Sequence, residues 1–167
     1  MTTPSPTLVK LVSADGIEYD VEKDIAEMSS TIKDMISEIG IGAPVPVSSV
    51  KAKTLTKVIE WATYHKAHPE PAVSEADRYR TDNIGDWDKT FMQVDLDLLF
   101  MLMMAANYLD IRNLLDLVCK TMANMIKGRT PEEVRTTFTI PPTSEFYKPP
   151  AAAVAVSSSS SDSSSVP

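Results

Sequence analysis

Two histidines, His65 and His68, are the residues whose type and spacing come closest to a chemical site. One helical face could carry both imidazole rings at this spacing, and imidazole is a common metal ligand. However, no cysteine or carboxylate has the local spacing that would complete a zinc site, and Pro69 ends the helix beside them. We therefore predict a solvated helix end at this pair, and no metal site in the chain.

Other sequence patterns that signal catalysis are missing. There is no glycine-rich phosphate loop, no G-x-S-x-G nucleophile elbow and no Cys/His pair in a credible context. The neighbouring carboxylates Glu132 and Glu133 suit the first turn of a helix, where the helix dipole favours anions. We predict a protein with no catalytic residues and no cofactor.

Composition and charge narrow the class of partner. The formal net charge is −7 and the sequence pI is about 4.8, which argues against nucleic acid or an anionic membrane surface as partner. The longest nearly apolar run, residues 98–106, is far shorter than the roughly 18 residues that a membrane span needs. No secretory signal pattern is visible, so we expect the protein in the cytoplasm and nucleus.

The single cysteine, Cys119, cannot form an internal disulfide, which excludes the framework of a small secreted domain. Free cysteine is among the most buried residue types. We therefore predict that Cys119 is a small buried side chain on an apolar helix face.

The first part of the chain predicts a small sheet. Residues 8–12 form a strand pattern, and the dipeptide Asp15-Gly16 is a strong hairpin signal because glycine tolerates positive φ. Residues 17–21 alternate apolar and polar side chains, as a half-buried second strand does. Residues 44–47 contain two prolines, so they suit a short edge strand.

Helical patterns follow the hairpin. Apolar residues between positions 24 and 39 share one helical face, and Ser29 or Ser30 could cap a second helix within that range. Residues 53–66 predict another helix. Residues 67–86 are polar and have no apolar period, which predicts a long surface loop and a site of disorder.

The second half predicts three apolar helices before a tail. Asp95 caps a helix over 96–109, whose apolar residues occupy nearly all faces, so we expect it to be central. An amphipathic helix follows over 111–127. Pro131 then starts a last helix with a threonine cap and a capping-box glutamate. Residues 141–167 hold too little apolar bulk to offset their ordering entropy, which predicts a disordered Pro/Ala/Ser-rich tail.

These elements predict an α+β domain, a small sheet with a bundle of helices. Five of the nine methionines lie on the last long helices, at positions 101, 103, 104, 122 and 125. A chain of this length has too few other elements to cover three apolar helices on every face. The leftover apolar surface therefore predicts a site for another protein.

Several collinear runs resemble the Skp adaptors (S-phase kinase-associated protein family) of SCF-type ubiquitin ligases. In the second half of the chain the runs are residues 105–111, 114–116, 119–121, 123–128 and 130–138. Upstream, residues 13–16, 31–33, 44–47, 58–61 and 87–88 fit the same family. The resemblance covers roughly residues 7–140 and includes many polar positions.

The resemblance implies a fold and a domain division. After an N-terminal arm of residues 1–6, a BTB/POZ-like domain over 7–110 would bind the N-terminal domain of a cullin. C-terminal helices of Skp dimerisation type over 111–140 would bind the F-box of a substrate receptor. The implied function is a non-enzymatic adaptor that bridges a cullin to F-box proteins in protein ubiquitination.

Site residues follow from the same resemblance by position. Asn107 and Tyr108 match the cullin-contacting pair, and a tyrosine suits such a site because its ring is buried while its hydroxyl keeps a hydrogen bond. The F-box-facing region corresponds to apolar positions of the last two helices: Leu115, Cys119, Met122, Ala123, Ile126, Val134 and Phe138. Some of these residues are expected to belong to the internal core instead.

The chain departs from the family pattern at its C-terminal end. Family members continue with an acidic loop and a final helix, whereas here Pro141-Pro142 and the serine tail occupy that place. Losing two or three buried side chains at about 1.5–3 kcal/mol each would weaken F-box binding. A diverged cullin-binding regulator and a self-associating BTB-type scaffold are therefore alternative interpretations.

Overall fold

A computed structural model of the chain describes residues 5–71 and 74–139. The contacts among the described residues divide them into two units, one that ends at residue 127 and one that begins at residue 128. The described part of the first unit contains strands β1 (Leu8–Ser13), β2 (Glu18–Glu22) and β3 (Val45–Val47), and helices α1 (Lys23–Ala26), α2 (Ser30–Ile39), α3 (Ala52–Ala67), α4 (Glu75–Arg78), α5 (Asp86–Phe91), α6 (Leu96–Tyr108) and α7 (Arg112–Ile126). The second contains α8 (Pro131–Phe138). The predicted tail, residues 141–167, lies outside the described residues.

Within residues 5–71 the strands form a sheet in the order β2-β1-β3. β1 pairs antiparallel with β2 and parallel with β3, so the proline-containing β3 is an edge strand, as predicted. The turn between β1 and β2 has Gly16 at φ 81, a conformation that favours glycine. The Ser13 hydroxyl accepts a hydrogen bond from Ile17 N–H at 3.0 Å and closes the predicted hairpin.

The helical pattern of residues 24–39 is two helices in the structure. Ser29 is the N-cap of α2, and its hydroxyl accepts a hydrogen bond from Ile32 N–H at 3.1 Å. Such a cap satisfies a backbone donor that the helix itself cannot satisfy. Of the two arrangements that the sequence allows, the split at Ser29 is therefore correct.

The core lies between the sheet and helices α2, α3, α6 and α7. Leu55, Trp61 and Leu102 are fully or almost fully buried at its centre. Each large apolar side chain removed from water contributes about 1.5–3 kcal/mol, so this core is the main source of stability. The prediction of an α+β domain with a small sheet is confirmed.

The polar segment 67–86, predicted as a loop, contains the short helix α4. α5 then returns the chain to the core, where Phe91 is buried and Trp87 is partly buried. The Trp87 ring stacks on Tyr64 with centroids 3.8 Å apart and on Phe91 at 5.1 Å. The predicted disorder of this segment stays a prediction.

Only one face of α6 is buried in the core. Leu98, Leu99 and Leu102 are buried, whereas Met101 and Met104 are 46% and 65% exposed. The sequence prediction of a helix surrounded by protein is therefore too strong, because α3 and α7 cover only part of its circumference. Among the described residues, no helix is both long and apolar enough to cross a membrane.

Candidate protein-binding surfaces

The C-terminal end of α6 places Asn107 and Tyr108 in a closed helix-ending motif. Ile111 N–H donates to Ala106 O at 2.9 Å, and Asp110 N–H donates to Asn107 O at 3.3 Å. Asp110, which directly precedes Ile111, has φ 50, a left-handed conformation. These two bonds are those of a Schellman motif, which satisfies carbonyls at the helix end and fixes where the helix stops.

Side chains near the start of α2 hold the same helix end from outside. The Thr31 hydroxyl donates to Tyr108 O at 2.9 Å, and the Ser29 hydroxyl donates to Leu109 O. Both bonds join residues about 80 positions apart in the chain. The backbone under Tyr108 is therefore fixed by the tertiary structure as well as by its own helix.

Asn107 and Tyr108 belong to a wider exposed face of α6. Met101, Met104 and Tyr108 follow each other at i, i+3 and i+7, which places them on one side of a helix. Asn107 is exposed, and the Tyr108 side chain is half-buried. We call these four residues the α6 face: an apolar strip with a tyrosine and an amide at its C-terminal end.

A second apolar surface follows α7 along Leu115, Cys119, Met122, Ala123 and Ile126, which we call the α7 stripe. Helical spacing puts these residues beside the buried row of Leu114, Leu117 and Val118. Leu115 and Met122 are half-buried against the core, whereas Ala123 and Ile126 are exposed. The structure thus brings five of the seven residues predicted to face an F-box onto one side of one helix.

Cys119 corrects an expectation from the sequence. It is a free, exposed cysteine, not a buried one. Cys119 lies on the exposed α7 stripe. The preceding residue, Val118, belongs to the row that faces the core and is fully buried. A cysteine on an amphipathic helix is buried only if its angular position faces the core.

The other two predicted F-box residues, Val134 and Phe138, lie on α8 in the second unit. Their four-residue spacing places them on one face of that helix. Thr130 and Glu133 form the predicted capping box, in which Thr130 N–H donates to the Glu133 carboxylate at 2.8 Å. This backbone bond and one from the Thr130 hydroxyl lower the pKa of Glu133.

The segment before α5 contacts α7, which the sequence did not indicate. Arg78 Nε lies 3.3 Å from an Asp116 carboxylate oxygen. Two further bonds join the same regions: Lys120 Nζ donates to the Asn83 amide oxygen at 3.0 Å, and Asn124 Nδ2 donates to Thr81 O at 2.8 Å. A signal that could have drawn attention to this segment is Tyr79, a lone aromatic residue in a polar stretch.

A charged turn stabilises the local shape of this segment. The Arg80 guanidinium donates to both carboxylate oxygens of Asp82, at 3.1 and 2.9 Å. These hydrogen bonds lower the pKa of Asp82 to about 2. Two-point arginine–carboxylate pairs restrict geometry more than single bonds do, so this pair favours the turn conformation that the structure shows.

His65 corrects a second expectation. It is buried, not solvated, and its Nε2 lies 2.9 Å from Asp88 Oδ1, which is also buried. The structure brings Glu70 to the same place, so one imidazole nitrogen and two carboxylate oxygens lie within 4.8 Å of one another and could contact a cation. The His65 ring also packs against Trp61 at 4.4 Å, which accounts for the cluster as a buried hydrogen-bonded pair. The predicted absence of a metal site stays a prediction.

Two family profiles match separate parts of the chain. The sequence profile described as "Skp1 family, tetramerisation domain" matches residues 7–67. The profile described as "Skp1 family, dimerisation domain" matches residues 112–145, which include the α7 stripe and α8.

Fungal relatives match over most of the chain. The protein named "E3 ubiquitin ligase complex SCF subunit sconC" from Arthroderma benhamiae is 46% identical over 144 residues, which cover 84% of this chain and 87% of the relative. The protein of the same name from Aspergillus flavus is 49% identical over 84% of this chain and 86% of the relative. That from Aspergillus terreus is 50% identical over 81% and 85%.

A small α+β domain with two exposed apolar helix surfaces has the features of the class of protein-binding modules. Within that class, the chain belongs to the Skp1 family. The predicted family, the BTB/POZ-like fold and the adaptor role are thereby confirmed at the level of the family. The contact residues assigned by resemblance are not tested by these matches.

Proposed function

We propose that this chain is a non-enzymatic adaptor of an SCF-type cullin ubiquitin ligase, and that it bridges a cullin to F-box substrate receptors. The observation that carries the proposal is that two apolar surfaces, the α6 face and the α7 stripe, remain exposed in a chain of the Skp1 family. An adaptor needs separate surfaces for its two partners. The curated relatives are named as SCF subunits, which supports this assignment.

We assign the α6 face to the cullin N-terminal domain. Tyr108 combines a large apolar ring with a hydroxyl, the kind of side chain that dominates binding energies at interfaces. Its backbone is held by the helix-ending motif and by Thr31. A residue held in this way loses little conformational entropy when a partner binds, so the site is preorganised.

We assign the α7 stripe to the F-box. Its residues form an apolar strip about three helical turns long, the shape that receives an amphipathic helix from a partner. Val134 and Phe138 on α8 are proposed as further F-box contacts. The adaptor would need no cofactor, nucleic acid or membrane for this role, and we place it in the cytoplasm and nucleus.

The cullin assignment is tested by a binding measurement on the full chain. Wild-type protein and the Asn107→Ala/Tyr108→Ala variant are titrated into a purified cullin N-terminal domain. We expect the variant to bind at least tenfold more weakly, a loss of about 1.4 kcal/mol or more, as is usual when interface hot-spot side chains are truncated. Ile17→Ala, which removes another exposed apolar side chain, is the matched control and should bind like wild type.

Different outcomes of this titration test the proposed site and the proposed partner separately. Equal binding by wild type and the double variant would reject the α6 face as the cullin site. No cullin binding by wild type would reject the adaptor assignment itself. Thermal denaturation of each variant shows whether a loss of binding reflects unfolding.

The F-box assignment also separates the adaptor from the alternative of a cullin-binding regulator. F-box domains from substrate receptors of Aspergillus oryzae, the source of one curated relative, are titrated against the wild-type chain. We expect a stable complex that can join the cullin domain in one assembly. Cullin binding with F-box binding weaker than about 100 μM, or roughly 5.5 kcal/mol of affinity, would favour the regulator.

A further inference from the structure

The segment around Tyr79 and helix α7 enclose a cleft of about 530 Å³. We call it the Tyr79 cleft. Three α7-stripe residues, Leu115, Cys119 and Ala123, line it together with Tyr79. Its volume is within the range of about 300–1,000 Å³ that is usual for binding clefts. The cleft is thus continuous with the surface that we assign to the F-box.

Tyr79 itself is the most exposed large apolar side chain among the described residues, at 88%. A tyrosine ring in water contributes nothing to the core, whereas at an interface it offers a large contact area at low entropic cost. Exposed apolar groups that border a cleft with apolar residues in its lining mark interaction sites more often than isolated ones do.

Residues before and after Tyr79 in the sequence contact α7 and fix the backbone position of Tyr79. Its neighbour Arg78 pairs with Asp116 of α7 at 3.3 Å. Two residues further on, Thr81 O accepts the 2.8 Å hydrogen bond from Asn124, also on α7. The backbone at Tyr79 is therefore held beside α7 before any partner arrives, which reduces the entropy that binding would cost.

The positive charge of Lys120 lies at the rim of the cleft, and its hydrogen-bond partner is the neutral side chain of Asn83. Lys120 Nζ donates to the amide oxygen of Asn83, whereas Arg78 is balanced by Asp116. A carboxylate from a binding partner would be attracted to Lys120. The cleft thus favours an apolar side chain that is accompanied by an acidic one.

We propose that the Tyr79 cleft receives an apolar side chain of the F-box helix that lies on the α7 stripe, and that an acidic residue next to it pairs with Lys120. This inference rests on the proposed function and extends it to residues outside the C-terminal helices. Tyr79 and Lys120 are then determinants of which F-box receptors bind well.

The test is a calorimetric titration of the full-length chain with F-box domains from Aspergillus oryzae receptors. Tyr79→Ala should weaken binding about tenfold, as the loss of an interface aromatic residue does, and Tyr79→Phe should stay within about twofold because the ring remains. Ile17→Ala, an exposed apolar residue on the β1–β2 turn, is the control that should leave binding unchanged.

The charge is tested by Lys120→Met, which keeps an apolar stem and removes the ammonium group. We expect binding to weaken about threefold at low salt, and the difference from wild type to shrink as salt screens the ion pair. Receptors without an acidic residue in the F-box helix should show no difference. Equal binding by Lys120→Met at every salt concentration and with every receptor would overturn the proposed charge contact.

The outcomes separate this inference from the function on which it rests. If wild type binds F-box domains, Leu115→Ala weakens the complex and Tyr79→Ala does not, the cleft is rejected while the F-box assignment stands. Tighter binding by Tyr79→Ala would also reject it, because the segment would then cover the site. If wild type binds no F-box domain, both proposals fail.

Discussion

The C-terminal end of α6 and the stripe along α7 present apolar surface in two different ways. At the end of α6 the important residues are adjacent in sequence, and hydrogen bonds from Ser29 and Thr31 fix their backbone. On α7 the residues are spread over three turns, and they lie beside a row whose Leu114 and Val118 are fully buried.

This difference separates a rigid local site from an extended site that shares its helix with the core. A local site depends on the precision of one helix end, so changes in its supports should affect stability and binding together. An extended site depends on added contact area, so single changes should affect binding much more than stability. Three predictions test whether the two regions behave in this way, and a fourth gives a reference effect away from both.

The largest expected effect is on the α7 stripe. In the Cys119→Glu/Ile126→Glu variant two carboxylates would have to leave water when an F-box binds, which is unfavourable. We expect F-box affinity to fall at least 100-fold, about 2.7 kcal/mol, with little change in melting temperature because both positions are exposed. Titration calorimetry measures the affinity. Ile17→Glu is the control, and a similar loss there would point to a general effect of charge.

The support of the α6 end is tested by Ser29→Ala. Ser29 is 2% exposed, and its hydroxyl both caps α2 and donates to Leu109 O. Losing a cap and a buried hydrogen bond should cost about 2 kcal/mol of unfolding free energy. Urea denaturation measures the loss, and cullin binding should weaken with it. Ser30→Ala, at the exposed neighbouring position, should be nearly neutral; an equal loss there would contradict the assignment of the cap.

The left-handed backbone conformation of Asp110, just after the C-terminal end of α6, is tested by two substitutions at that position. At its φ of 50, alanine should cost about 1 kcal/mol, whereas glycine should be neutral or slightly stabilising. Differential scanning calorimetry on both variants measures the difference. If alanine and glycine gave the same melting temperature, backbone strain would not be the reason why the helix ends here.

The smallest effect is expected far from both surfaces, at Asp15. Its carboxylate accepts hydrogen bonds from the Ser13 hydroxyl and from Ala52 N–H, each at 2.7 Å, and these bonds lower its pKa in the folded state. A lowered folded pKa stabilises the protein above the unfolded value of 3.8, and that contribution is lost as the pH falls through the folded pKa.

Thermal melting as a function of pH checks this prediction. Asp15→Ala should melt at a slightly lower temperature than wild type at neutral pH, and the gap should close in acid. Asp15→Asn keeps an oxygen acceptor but cannot titrate, so its melting temperature should change less with pH. A gap that stays constant down to pH 2 would show that the charge of Asp15 is not involved.

Much of the fold could be predicted because its signals are local. The Asp15-Gly16 turn, the cap at Ser29 and the capping box of Thr130 with Glu133 each depend on residues within four positions of one another. Helical spacing likewise predicted the amphipathic character of α7. The family resemblance added the partners, because periodicity alone does not say what an apolar face binds.

The errors concern the direction in which a side chain faces. Cys119 was predicted to be buried and is exposed. His65 was predicted to be solvated and is buried with Asp88, a residue 23 positions away. An apolar period gives the relative angles of residues on a helix, but the neighbouring elements decide which of those angles are covered.

The sequence by itself determined the class of fold, the ends of most helices and the adaptor family. Only the tertiary structure decided which side of α6 and α7 stays exposed, and only it placed Tyr79 beside Leu115, Cys119 and Ala123. The physical reason is the range of the interactions. Turns and caps act between near neighbours in the chain, whereas a cleft forms between segments about 40 residues apart that meet through packing and a few hydrogen bonds.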